Sequence, residues 1–114
     1  MSEPSFEAPI QNPGVFDVLG VRRDGGIDAV IVAATPIDGT PETLRALAVK
    51  VRNYAEELSS ESFMLKHPRV PTGQVRIIIK CYSSVDAVAH GLVSSLRKEV
   101  EAAGLLLEVE RVVV

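Results

Sequence analysis

Thr35, Asp38 and Thr40 stand between a predicted strand and the helix after it, and Cys81, Tyr82, Ser83 and Ser84 stand in the next such segment. Hydroxyls beside the free N–H groups of two neighbouring helix starts are what holds an oxyanion, and a thiol at such a start gains thiolate character. The same residues also have a purely structural account. Thr40 and Ser83 would cap their helices, Asp38 would cap its turn, and Cys81 would be a small hydrophobe on the inward parity of a strand. Asp38 weighs against an anion, because its carboxylate competes for the same donors.

Other chemistry has little to start from. His67 lies in a proline-rich loop and His90 on the polar side of a helix, and neither stands at metal-ligand spacing from the other or from Cys81. No GxSxG elbow, Walker loop or GxGxxG occurs in the sequence. Metal, cofactor and catalytic residues are therefore all expected to be none. The formal charge of -3 lacks the basic excess that phosphate-backbone binding draws on, which argues against nucleic acid. A single cysteine allows no internal disulfide and fits a reducing, cytoplasmic setting. No run approaches the length of a membrane span, and no export signal is expected.

The elements that would position these residues follow from periodicity. Residues 1–14 carry Pro4, Pro9 and Pro13 among small and acidic residues and read as a flexible N-terminal tail. Residues 15–114 read as one sandwich domain. Val15 to Arg23 and Ile27 to Thr35 form a hairpin across Asp24-Gly25-Gly26, and the second strand is apolar on both faces, as a central strand is. Thr40-Pro41-Glu42 opens a helix with cap, proline and acid in order, striped by Leu44, Leu47, Ala48, Val51, Ala55 and Leu58, with Tyr54 at the edge of the stripe. Ser59 to Gly73 reads as a long loop. Val75 to Tyr82 is a strand, Ser83-Ser84-Val85-Asp86 starts a second helix striped by Val85, Val88, Ala89, Leu92, Leu96 and Val100, and Gly104 stops it. Leu105 to Val114 is the last strand.

The order ββαβαβ, with right-handed crossovers, places both helices on one face of a four-stranded mixed sheet of order 1-2-3-4, an α+β two-layer sandwich. The other face is left without helices. It carries Val30, Val32, Ile78 and Leu106, more apolar than a monomer usually exposes, and these are the candidate interface. Lys80 is expected to face Glu110 there, and Ile78 to face Glu108.

Leu47-Ala48-Val49-Lys50-Val51-Arg52-Asn53-Tyr54, set after a hairpin and before a Pro/Gly loop, the strand Val75-Arg76-Ile77-Ile78-Ile79 and a helix ending at Ala103-Gly104, resembles a small bacterial family of single-domain proteins of unknown function with a Leu-x-x-Lys-x-x-x-Tyr helix. The resemblance covers Val15 to Glu110. The positions before the helix depart from it, since Thr35 to Thr43 stand where the family has a tryptophan and a histidine-leucine pair. It implies no activity, but it singles out Lys50 and Tyr54, one helical turn apart, as a pair whose polar ends would snorkel at the rim of the core.

These observations together read as a non-catalytic cytoplasmic interaction module that self-associates as a homodimer, with a further protein partner possible in principle. The alternative is a small-ligand or anion-binding domain, with or without catalysis, at the strand edge of Thr35, Asp38, Thr40 and Cys81 to Ser84.

Overall fold

In the computed structural model, which describes residues 17–33, 36–70 and 73–112, the strands are β1 (Val18–Val21), β2 (Ile27–Ala33), β3 (Val75–Cys81) and β4 (Leu106–Arg111), and the helices are α1 (Pro41–Leu58), α2 (Glu61–Lys66) and α3 (Ala87–Ala102). The expected tail, residues 1–14, lies outside the described residues, as does Thr35. The sheet is mixed and ordered β1-β2-β3-β4: β1 pairs antiparallel with β2, and β2–β3 and β3–β4 are parallel. This is the α+β sandwich that the element order implies. No helix among the described residues is long and apolar enough to cross a membrane.

The β1–β2 connection closes where the Arg22 N–H donates to the Gly26 carbonyl, with Gly25 at φ +88°, a conformation only glycine adopts at low cost. β2 alternates buried and half-buried residues, so Ile27, Ala29, Ile31 and Ala33 face the helices. On β3 the matching residues are Ile77, Ile79 and Cys81, and on β4 Leu107. Leu47, Val51 and Leu58 of α1 and Ala89, Val93, Leu96 and Val100 of α3 close the core from above, and the two helices touch each other. Each buried aliphatic side chain contributes about 1.5–3 kcal/mol by leaving water.

Two features differ from the expectation. The segment after α1 is not one long loop: Ser60 caps a new helix by accepting from the Phe63 N–H at 3.1 Å, and Phe63, 5% exposed, enters the core. The serines that weaken α1 are the start signal of α2. The last helix also starts later than Ser83. Asp86 is its cap, accepting from the Val88 N–H at 2.9 Å. Val85 instead forms a parallel bridge with Ile37. Starting the helix three residues later rotates its inner face, so Val88 is 58% exposed and Val93 takes a core position.

Candidate functional site

The strand edge picked out by the sequence is built from the loops after β2 and β3. Tyr82 N–H donates to the Ala33 carbonyl, Ile37 N–H to that of Ser84 and Asp86 N–H to that of Ile37, so the two loops are zipped to each other. Gly39 permits the contact, since a Cβ there would come within 2.8 Å of Asp86 Oδ1. Thr40 Oγ1 accepts from the Thr43 N–H at 3.3 Å and donates to Asp38 Oδ1 at 2.6 Å, and the Thr40 N–H reaches the same oxygen at 3.1 Å. The Thr40 hydroxyl, then that of Thr43, holds the Asp38 carboxyl below its ordinary range.

The geometry thus brings Asp38, Thr40 and the backbone of Ser84 to Asp86 together, with Ser83 half-buried beside them, and does not add the Cys81, Tyr82 or Ser84 side chains to that cluster. Cys81 points into the core at 1% exposure, and burial pushes its thiol above the ordinary range. Tyr82 is 43% exposed and Ser84 lies at the surface. Each helix start carries a carboxylate, Asp38 beside α1 and Asp86 on α3. Both accept hydrogen bonds and repel a second negative charge, so the edge acts as a capping arrangement.

A denser polar cluster lies where β1 begins. Lys50 projects from the inner face of α1 and is 0% exposed, so it does not reach the rim. Its Nζ donates to Asp17 Oδ1 at 2.6 Å and lies 5.9 Å from the centre of the Tyr54 ring. Asp17 Oδ2 accepts from the Val32 N–H at 2.9 Å. The Tyr54 hydroxyl accepts from the Asp17 N–H at 2.7 Å and donates to the Val30 carbonyl at 3.1 Å. Side chains therefore continue the β1–β2 pairing just before the start of β1, and they tie β1 to α1. Desolvation pushes the Tyr54 phenol up to about 12. The sequence held a signal for this cluster: Leu47, Lys50, Val51 and Tyr54 share one helix face, so Lys50 needs an acid on the sheet beneath it. Asp17 carries no such signal, because nothing local links it to α1.

On the helix-free face Val18, Val30, Ile78 and Glu108 align in one row across the strands, and Lys80 pairs in register with Glu110. Ile78 is 6% exposed, Val30 and Val32 are half-buried, and Leu106 is 37% exposed. An ion network not foreseen from sequence lies alongside. Asp28 takes both Arg76 Nε and Nη2 at 2.8 Å, a bidentate pair, and also Arg22 Nη1, while Arg76 Nη1 reaches Glu108 at 3.3 Å. The Arg76 guanidinium, and secondly Arg22, holds Asp28 below the ordinary carboxylate range.

At the far end of the sheet, a groove of about 250 Å³ is lined by Leu58, Phe63, Met64, His67, Val70 and Leu105 among others. His67 packs on Phe63 there with ring centres 4.5 Å apart, which makes it part of the wall rather than a free surface side chain. Among the described residues no cluster of His, Cys, Asp and Glu is arranged to hold a metal ion. No protein-family model, curated protein or solved structure matches the chain.

Proposed function

We propose that this domain works by binding rather than by catalysis, and that what it binds first is a second copy of itself. The carrying observation is the apolar surface of β1. Val18, Leu19 and Val21 are 51%, 39% and 68% exposed on a single four-residue strand, so about half of its apolar surface faces solvent. The groups most suited to chemistry support the same reading from the other side. Cys81, Lys50 and Tyr54 all lie within the core at 2% exposure or less, and Tyr54 and Lys50 engage the β1 start rather than a cleft. A buried single thiol and a net charge of -3 fit a reducing, cytoplasmic setting and a protein rather than a nucleic-acid partner.

Sedimentation velocity of the full chain over a range of concentrations tests this. A species near twice 12.3 kDa that grows with concentration is expected. A constant 12.3 kDa species up to about millimolar protein, where contacts of small area still register, overturns it.

A further inference from the structure

We infer that two copies join through β1, edge to edge and antiparallel about a two-fold axis at Gly20, into one continuous eight-stranded sheet. This rests on the self-association proposed above and names its surface. The two edges of the sheet differ in a way that selects β1. β4 carries Glu108, Glu110 and Arg111, exposed charges of the kind that deter edge pairing, whereas β1 reads Val-Leu-Gly-Val with no charge and no proline.

The hydrogen-bonding phase of β1 is set by the Arg22 N–H, which donates to the Gly26 carbonyl across the hairpin. By strand alternation Val18 and Gly20 also turn their backbone groups toward β2, so Leu19 and Val21 present theirs outward. A two-fold axis normal to the sheet, which keeps the helices of both copies in one layer, requires some residue to pair with itself. With Gly20 in that place, Leu19 exchanges both backbone hydrogen bonds with the partner's Val21, and symmetry repeats the pair. Leu19 and Val21 also share the helix-side face, so the two most solvent-exposed large side chains of that face of β1 cover each other. The same register sets Arg23 opposite the partner's Asp17, an opposite-charge pair, and sets no like charges against each other.

Gly20 supplies an independent reason for this register. Its φ is not positive, and a Cβ built on it meets nothing within 4 Å, so the single chain shows no need for glycine there. Glycine inside a strand costs stability and often marks the place where another backbone comes close. In the paired edge Gly20 faces its own copy as a non-hydrogen-bonded pair, the closer of the two antiparallel spacings.

The test is sedimentation velocity of the full chain with Gly20→Lys, Gly20→Glu and, on the helix-free face away from β1, Leu106→Lys. Gly20→Lys stands beside Asp28 in register and should leave folding intact by circular dichroism and thermal melting. It places two ammonium groups against each other at the axis, so it should weaken association by at least about tenfold. Gly20→Glu alone should do the same, an equimolar mixture of the two variants should regain the dimer, and Leu106→Lys should associate like the parent chain. A dimer that survives both Gly20 variants, or that Leu106→Lys dissociates while they do not, overturns the β1 edge and leaves self-association standing. A parent chain that is monomeric throughout removes the self-association reading itself.

Discussion

Lys50 Nζ lies 2.6 Å from Asp17 Oδ1, and the two ends of this pair are not equally placed: the lysine side chain is 0% exposed and the aspartate side chain 19%. The two substitutions that break the pair should therefore differ in cost. Asp17→Asn removes the carboxylate from beside a wholly buried ammonium and should cost about 2–4 kcal/mol. Lys50→Met keeps the length and packing of the stem, and Asp17 retains the Val32 N–H and some access to water, so the loss should stay below about 2 kcal/mol. Urea unfolding of both variants checks the order. Equal costs, or the reverse order, would mean that the pair is solvated in a way the burial of Lys50 does not allow.

Tyr54→Phe keeps the ring and deletes the hydroxyl that links the Asp17 N–H to the Val30 carbonyl. Leaving both backbone groups without that partner should cost about 1–3 kcal/mol, with hydrogen exchange accelerated at the start of β1 before the rest of the sheet.

The same hydroxyl produces an alkaline limb. The folded phenol titrates at about 12, above the value near 10 of an unfolded tyrosine, so between these values the unfolded chain binds fewer protons than the folded one. Stability from this group is then complete below about pH 10 and falls as pH rises toward 12. In denaturant melts at rising pH, Tyr54→Phe should reduce this limb relative to the parent chain. An unchanged limb would assign it to other groups.

Asp28 should control the acid limb. Arg76 and then Arg22 depress its carboxyl, so its contribution is present above the ordinary unfolded value near 3.8 and is lost as pH falls through the lower folded value. Asp28→Asn should cost about 1–2 kcal/mol at neutral pH, modest because the side chain is 21% exposed, and should flatten the acid limb. A variant with the parent's full acid limb would show that other carboxylates produce it.

What could be read from the chain, and what could not, divides along local against non-local causes. Thr40-Pro41-Glu42 specifies the start of α1 within a few residues of sequence, and the alternation of β2 and β3 carries their inward faces, so sheet order and core follow. The start of α3 departs from its local signal because Val85 is held by Ile37, a residue far away in sequence, which delays the cap from Ser83 to Asp86. The short helix α2 is the exception, because its cause is local: the same Ser60 that weakens α1 caps the next helix. Lys50 reads as a rim residue from its helix alone because its acid comes from the residue before β1, and the Asp28–Arg76 pair depends on the parallel register of β2 and β3. The Lys50–Asp17 and Asp28–Arg76 pairs share one cause, a polar side chain whose partner is brought in by the fold.

Cys81 gives the most direct check on how closed the candidate edge is. Its side chain points between β3 and the helices at 1% exposure, and desolvation, which outweighs the opposing charge of Arg111, raises the thiol further from the reactive thiolate. The Ile37–Val85 bridge ties together the two loops beside the thiol. Labelling by a disulfide reagent at about pH 8 should therefore proceed only through opening of the sheet, at least about 10³-fold slower than for a free cysteine, and should accelerate with added urea in step with unfolding. Val85→Gly, which removes the side chain at the bridge and loosens the backbone there, should speed labelling without a matching drop in the unfolding midpoint if the loops open locally. Labelling of the parent chain at the rate of a free thiol would mean that the edge is open in solution, and the capping arrangement of Asp38, Thr40 and Asp86 would then have to be read as the wall of an accessible site.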